Sequence, residues 1–243
     1  LALLIYLNRS AVYRRFHLLA DWAKPDAAGI RYILRLGIPI GFTIFVEASM
    51  FSVIALFLAP LGPVIVAGHQ IALNVVSLVF MLPLSIGMAL TLRVSFLVGA
   101  KAPDTARLIA RSSLILASAV ALVFAVLLFV FAEGIAALYT GEQDVQAVTV
   151  TLLVYAAFFQ IADVIQVTCI SALRGYKDTS IPMLIMLFSF WGVGLPLGWV
   201  LTFTDWLLPA MGAAGFWVGL TCGLASASIL LGLRLFLYSP KPE

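Results

Sequence analysis

The sequence predicts an all-α, polytopic membrane protein whose six transmembrane helices form one bundle. Of the 243 residues, 63% are apolar and only 10% are charged, and the mean hydropathy is +1.14. Soluble domains have roughly 45–50% apolar residues. Several apolar runs also approach the ~20 residues that a helix needs to cross a ~30 Å hydrocarbon core. Together these two observations exclude a soluble globular domain.

Six apolar stretches mark the predicted spans, and short polar connections separate them. The predicted boundaries are residues 33–59, 65–92, 108–132, 146–172, 181–204 and 213–237. The first, second and fifth spans contain proline, which removes a backbone hydrogen bond and permits a kink. The kinks are candidate hinges, although proline and glycine are common in membrane helices. The prolines are Pro39, Pro83, Pro182 and Pro196.

Basic residues occur only on alternate connections, which supports the count of six spans. The connections after the first, third and fifth spans contain no Lys or Arg, so all 14 basic residues of the chain fall on one side. By the positive-inside rule that side is the cytoplasm, and both ends of the chain are predicted to lie there. The membrane topology then accounts for the basic residues and the net charge of +3, so no nucleic-acid partner is expected.

The chain is predicted to have two parts. Residues 1–30 are expected to be the end of a preceding helix followed by a cytoplasmic linker, either lying along the membrane interface or simply solvated. Residues 31–243 are expected to form the six-helix transmembrane bundle. A linker in front of such a bundle suggests a second bundle upstream, because many transporters are built from two halves.

Two acidic residues lie deep inside predicted spans, where charge is costly. Glu47 is twelve residues after Arg35, and Asp163 is eleven residues before Arg174. At about 1.5 Å per residue, each carboxylate is ~16–18 Å from the basic face, close to the bilayer midplane. Acids in such positions usually mark an ion or substrate path. Two acids at matched depth can share a cavity, bridge a cation or hold a proton, with no Lys or Arg expected beside them.

Polar and aromatic neighbours favour a cavity around these acids over contact with lipid. Thr43 and Phe51 are one helical turn either side of Glu47, and Phe159, Gln160 and Gln166 flank Asp163. Aromatic rings beside buried negative charge suit a flat, lipophilic cation through apolar contact and cation–π attraction. Ordinary helix packing is the alternative for the two phenylalanines.

Other chemistry has little support. His17 and His69 are predicted on opposite sides of the membrane, so they cannot form a metal site together, and no other metal cluster is expected. The two cysteines, Cys169 and Cys222, are predicted to be packed thiols. No Gly-rich phosphate loop is present, so nothing indicates ATP hydrolysis. No cofactor is expected, and any energy that the protein uses must come from an ion gradient or a partner.

A spaced set of motifs resembles the multidrug and toxic compound extrusion (MATE) family, in its bacterial NorM-type branch. The motifs include Arg35-Leu-Gly-Ile-Pro followed by Glu47, then Ala67-Gly-His-Gln-Ile-Ala, then Gln160-Ile-Ala-Asp163, and finally Arg174-Gly-Tyr-Lys-Asp-Thr. The resemblance extends over nearly the whole chain from Gly29 to Tyr238 and matches the C-terminal six-helix half of such transporters.

The resemblance implies an inner-membrane antiporter of two six-helix bundles that exports organic cations and other drugs in exchange for Na⁺ or H⁺. The partners implied are small-molecule drugs, membrane lipid and an N-terminal six-helix bundle. Glu47 and Asp163 match the family's acids that bind the coupling ion. Sodium-dependent relatives can have a tyrosine where this chain has Phe159, so one candidate oxygen is absent. The turn from Arg174 to Thr179 is interpreted as structural or gating, outside the binding site.

Two other functions remain as alternatives. A lipid-carrier flippase of the wider superfamily would have a similar bundle, but its cavity should present basic residues to anionic headgroups. An intramembrane enzyme would use the two carboxylates as an acid/base pair, but the sequence motifs expected around such a dyad are absent.

Overall fold

The apolar stretches form helices because a backbone inside hydrocarbon must satisfy its own hydrogen bonds. The computed structural model describes residues 26–237. Within this range six helical spans are long and apolar enough to cross a membrane, and no strand occurs in it. The prediction of an all-α fold with six spans is therefore confirmed.

The chain divides into two units, residues 1–37 and 38–243. In the first unit the structure describes only the start of helix α1, where the Asp26 carboxylate accepts hydrogen bonds from the amides of Ala28 and Gly29, each at 3.0 Å. The predictions for residues 1–25 lie outside the described residues, and the predicted boundary at residue 30 stays a prediction.

Eight α-helices and two other helical segments build the described chain. They are α1 (Ala27–Leu58), α2 (Pro63–Gly99), α3 (Pro103–Val130), α4 (Ala132–Tyr139), α5 (Gln143–Gly175), α6 (Ser180–Leu187), α7 (Leu195–Phe203) and α8 (Ala213–Leu237). A 3₁₀ turn (Ala59–Leu61) follows α1, and a π-helical segment (Phe188–Gly194) joins α6 to α7. The short helix α4 was missed, because it lies in a stretch that the sequence predicted as a loop.

The fifth span is continuous over Ser180–Phe203, but its helical geometry changes twice. The wider π-helical turn precedes Pro196, the second residue of α7, whose nitrogen has no hydrogen to donate. Pro182 is the third residue of α6, where the backbone amides have no intrahelical acceptor. Pro182 therefore breaks no helical hydrogen bond, and the kink suggested for it was wrong.

Helix α5 is the most buried of the six spans, and it packs against α2, α3 and α8. Small residues allow the close approach. An added Cβ at Gly87 of α2 would lie 2.6 Å from the Ser171 hydroxyl oxygen, and one at Gly175 would lie 2.7 Å from the Val94 Cβ. Buried alanines of α3, including Ala117 and Ala121, form the face towards α5. Close packing of this kind is one of the interactions that drive helix association in lipid.

Helix α8 packs against the fifth span through facing glycines. An added Cβ at Gly219 would lie 2.6 Å from the Gly194 carbonyl oxygen, and one at Gly215 would lie 2.6 Å from the Thr202 amide nitrogen. Gly198 faces Phe216 in the same interface, with its added Cβ 2.8 Å from the ring. These glycines are spaced four residues apart on each helix, as in other tightly packed membrane helix pairs. Gly194 and Gly198 of the fifth span therefore have a packing role.

We expect Gly219→Ala to destabilise the protein by about 2 kcal/mol, because the new methyl group must push α8 away from the fifth span. Gly232→Ala is the matched control on the same helix, since nothing lies within 4 Å of an added Cβ there. Thermal unfolding in detergent should show a lower midpoint for Gly219→Ala and an equal or slightly higher one for the control. Equal midpoints for both variants would contradict the packing role.

Candidate functional site

A cavity of about 680 Å³ lies between α1, α2 and α5. Its walls are mostly apolar, with a few polar and charged groups among them. Both the size and this mixture are typical of sites for small organic ligands. Glu47 and Asp163 both line this cavity, so the structure brings together the two acids that the sequence singled out.

Helix α1 lines one side of the cavity with residues that lie about one helical turn apart. Its buried residues follow one another three or four positions apart, from Pro39 to Leu58. Beside this stripe, Thr43, Glu47 and Phe51 line the cavity one turn apart. The Thr43 hydroxyl donates a 2.8 Å hydrogen bond to the Pro39 carbonyl oxygen. Glu47 is half-buried, and its neighbours on both sides are the polar and aromatic groups expected from the sequence.

Helix α1 meets the rest of the bundle through large side chains. The Trp191 indole nitrogen of the π-helical segment donates a 3.4 Å hydrogen bond to the Val46 carbonyl oxygen. The Met50 side chain reaches the position of Gly194, and the Phe57 ring stacks on Phe216 at 6.0 Å between centroids. The cavity lies beside these contacts because side chains, and not closely packed backbones, separate α1 from its neighbours.

Helix α5 supplies the opposite wall as a continuous stripe. Asp163 is 3% exposed, and positions three, four, seven, eight and eleven residues later also line the cavity. These intervals repeat the 3.6-residue period of an α-helix, so the residues share one face. The residues after Asp163 in this stripe are Gln166, Val167, Ile170, Ser171 and Arg174.

Helix α2 completes the cavity with mainly apolar side chains. The Thr91 hydroxyl, also in the lining, donates a 2.8 Å hydrogen bond to the Ser171 carbonyl oxygen of α5. This bond fixes the spacing of the two walls near one end of the cavity. The other lining residues of α2 include Leu73, Ser77, Phe80, Leu84 and Met88.

Aromatic rings close the other end of the cavity. The Phe51 and Phe159 rings meet edge to face at 6.3 Å, and Phe159 meets Trp217 of α8 in the same way at 5.6 Å. The Trp217 indole nitrogen donates a 3.3 Å hydrogen bond to His69 Nδ1. His69 is fully buried, so it joins this cluster in the interior. The two phenylalanines thus both line the cavity and pack the bundle.

The predicted cavity residues are placed there with one exception. Thr43, Phe51, Phe159 and Gln166 line the cavity, but Gln160 does not. Gln160 is fully buried, and neither end of its amide has a hydrogen-bond partner among the described residues. It lies at the level of the Phe51–Phe159 contact, where aromatic side chains fill the bundle. Its prediction as a cavity residue was wrong.

Only one end of the Gln166 side-chain amide has a contact partner among the described residues. Its amide nitrogen contacts the Met186 sulfur at 3.1 Å, while its amide oxygen has no partner in the described chain. Gln166 lines the cavity, but its amide oxygen is buried, so a ligand would reach this oxygen only after the side chain changes its rotamer.

Arg174 also lines the cavity, contrary to the expectation that no basic residue would lie beside the acids. The prediction that Arg174 belongs only to a turn outside the site was wrong. Arg174 is one residue from the end of α5, but it is three turns from Asp163 on the same face. The eleven-residue interval from Asp163 to Arg174 was the sequence signal that could have identified it.

The three charged groups interact at a distance. Glu47, Asp163 and Arg174 line one cavity, so their charges act on one another across it. In the described part of the chain, however, no Lys or Arg nitrogen lies within 4.0 Å of either carboxylate. No group of three or more His, Cys, Asp or Glu residues arranged for a metal ion occurs among residues 26–237. The cavity is therefore a site with two acids and one base, without a transition-metal ligand set.

Comparison with known proteins agrees with this architecture. Residues 39–200 match the MatE family, so the chain belongs to the MatE family of membrane proteins. It is 43% identical, over its whole length, to a probable multidrug resistance protein NorM of Idiomarina loihiensis, of which it covers 53%. It is 45% identical to the multidrug resistance protein PmpM of Pseudomonas aeruginosa, over 97% of this chain and 49% of that one.

Solved structures show the same fold. The eukaryotic MATE transporter AtDTX14 superposes with a TM-score of 0.84 at 22% identity, over 97% of this chain and 52% of that one. The bent form of the Vibrio cholerae MATE transporter VcmN gives a TM-score of 0.79 at 19% identity, over 91% of this chain and 50% of that one. The chain thus spans about half the length of the relatives it matches, and it is a multi-pass membrane protein.

We expect the cavity to admit water, and cysteine labelling can test this. Ser77 lines the cavity, whereas Ser189 is completely buried away from it. In a full-length protein whose other cysteines have been replaced, Ser77→Cys should react with a small polar thiol reagent at least about tenfold faster than Ser189→Cys, because only hydrated thiols ionise readily. Equal rates would contradict an aqueous cavity.

Proposed function

We propose that this chain provides the C-terminal bundle of a secondary active antiporter that exports organic cations and other drugs in exchange for Na⁺ or H⁺. The observation that carries the proposal is the presence of two carboxylates in one apolar cavity inside a membrane bundle. Acidic groups are costly there unless they bind cations or protons during a transport cycle. The similar bacterial proteins are named multidrug resistance proteins, which supports the same proposed function.

The two acids act as a shared site for coupling ion and drug. An ion that enters from outside neutralises the pair and lowers its attraction for a cationic drug. Release of that ion to the cytoplasm restores the negative charge, and the site then accepts the next drug cation. A ligand can shift such an equilibrium only through its differential affinity for the two states, and charge neutralisation supplies that difference here.

The cavity walls suit large, lipophilic cations. The Phe51 and Phe159 rings offer apolar contact and cation–π attraction close to the two carboxylates. Met88 and other flexible apolar side chains of α2 can repack around ligands of different shape. Broad selectivity follows because few directional polar groups constrain the ligand.

The coupling ion depends on how many oxygen atoms the site offers. Na⁺ is a hard cation that needs several oxygen ligands. Residues whose side chains contain oxygen line the cavity, namely Glu47, Asp163, Thr43 and Gln166. Phe159 adds no oxygen at the position where sodium-dependent relatives can have a tyrosine. This difference favours H⁺, which needs only one carboxylate oxygen.

The protein is proposed to lie in the bacterial inner membrane, with the end of the bundle that contains Arg174 and Asp178 towards the cytoplasm. The grouping of basic residues at this end supports the orientation. Both ends of the chain would then be cytoplasmic, and an N-terminal bundle would form the other wall of the transport path. A lipid-carrier flippase fits less well, because acids outnumber bases in the cavity.

Glu47→Gln and Asp163→Asn should each abolish ion-coupled efflux, because each removes a charge from the shared site while nearly preserving side-chain size. Efflux of a fluorescent cation by the full-length protein in everted vesicles measures this, with expression checked in parallel. Glu133→Gln, outside the cavity in α4, is the control and should retain normal efflux. Unchanged efflux in both site variants would refute the proposal.

Separate gradients identify the coupling ion. If H⁺ is coupled, a pH gradient alone should drive efflux and a Na⁺ gradient alone should not. Phe159→Tyr should then increase the share of efflux that Na⁺ drives, because it adds an oxygen one turn from Asp163. Efflux driven by Na⁺ alone in the unmodified protein would overturn the preference for protons.

A further inference from the structure

A permanent positive charge lies in the same cavity as the two acids. Arg174 lines this cavity together with Glu47 and Asp163, and it is half-buried. A guanidinium stays charged under all physiological conditions. Unlike a coupling ion, it cannot leave, because it is covalently part of α5. The empty site is therefore less negative than its two carboxylates alone would make it.

Helix geometry directs this charge into the cavity. Asp163 and Arg174 are eleven residues apart, which is close to three full turns, so the two side chains share one face of α5. Side chains on a helix lean towards its N-terminus. Arg174, at the C-terminal end of α5, therefore leans from the end of the cavity towards the level of the acids.

The backbone around Arg174 is fixed by packing. Gly175 lies against Val94, where an added Cβ would be only 2.7 Å away. Beyond it, the Asp178 carboxylate accepts a 2.9 Å hydrogen bond from Arg234 Nε of α8 in an ion pair. In the described structure Asp178 thus forms its ion pair with Arg234 and not with Arg174. Arg174 and Glu47 line the same cavity, so their opposite charges attract each other across it.

The interaction with Glu47 is long-range. No nitrogen of Arg174 lies within 4.0 Å of the Glu47 carboxylate in the described structure, so the two do not form a direct salt bridge. Space thus remains beside Glu47 for another cation. In surroundings of low dielectric constant, charges separated by more than a contact distance still interact strongly.

We infer that Arg174 is a tethered cation that competes with the transported cation for Glu47 and so limits how tightly the site binds its cargo. This inference rests on the proposed function and assigns Arg174 a role in cation affinity. Two unopposed carboxylates in an apolar cavity would hold a lipophilic cation more tightly, so the coupling ion would displace that cation less readily. Arg174 repels the bound cation. When the cation leaves, the positive charge of Arg174 offsets part of the negative charge of Glu47.

Equilibrium binding to the purified full-length protein in detergent tests this. The probe is tetraphenylphosphonium, a lipophilic monocation, and the neutral control is triphenylphosphine oxide. Arg174→Gln should bind the cation about five- to tenfold more tightly than the unmodified protein, because a like charge has been removed from the cavity. Arg174→Lys keeps the charge and should bind the cation with nearly unchanged affinity. Binding of the neutral compound should be equal in all three proteins.

A double-mutant cycle shows whether Glu47 is the target. In a Glu47→Gln background, Arg174→Gln should have a clearly smaller effect on cation binding, because the acid for which the two cations compete is gone. An equal effect in both backgrounds would overturn the competition for Glu47. If Arg174→Gln is misfolded in gel filtration or thermal unfolding, Arg174→Met provides the uncharged variant with an unbranched apolar side chain.

The outcomes separate the two proposals. Cation binding that requires Glu47 but is unchanged or weaker in both Arg174→Gln and Arg174→Met would overturn the role of Arg174 and leave the proposed function standing. A parallel change for the cationic and the neutral probe would show a merely structural role and would also overturn it. Cation binding that is independent of Glu47 and of Asp163 would overturn both proposals.

Discussion

The packing of α5 against α2, α3 and α8 is the constraint on which the rest of the bundle depends. Glycine and alanine at the contacts bring the helices close together, and in lipid the resulting van der Waals packing helps to drive helix association. Once α5 is fixed in the interior, one stripe of its surface faces the space beside α1. Every polar group on that stripe is then withdrawn from lipid. The position of Asp163 follows from helix packing as much as from its own chemistry.

The cavity exists because the two sides of the bundle are packed differently. Facing glycines join α8 to the fifth span with almost no space between the backbones. Helix α1 instead meets its neighbours through Trp191, Met50 and aromatic rings. Large side chains act as spacers, so a volume of about 680 Å³ remains between α1, α2 and α5. The same chain thus contains a tightly packed half and a half with room for a ligand.

Three charged side chains line this cavity, namely Glu47, Asp163 and Arg174. Two carboxylates make the cavity attractive to cations, and one guanidinium moderates that attraction. Moderate affinity would suit the proposed function, because a transport site must both bind and release its cargo. Asp178 and Arg234 carry opposite charges and form an ion pair with each other, so together they add no net charge to these three groups.

The sequence by itself determined the fold class, the six spans and the two acids inside them, because hydrophobicity, helical period and the cost of burying charge are all properties of local sequence. The family followed from motifs spaced along the chain. It also placed Thr43, Phe51, Phe159 and Gln166 correctly, since these lie within one turn of an acid. Only the tertiary structure excluded Gln160, brought Arg174 into the cavity and buried His69 against Trp217. These outcomes depend on which neighbouring helix fills the space at each level, and that is decided by contacts between residues far apart in the chain.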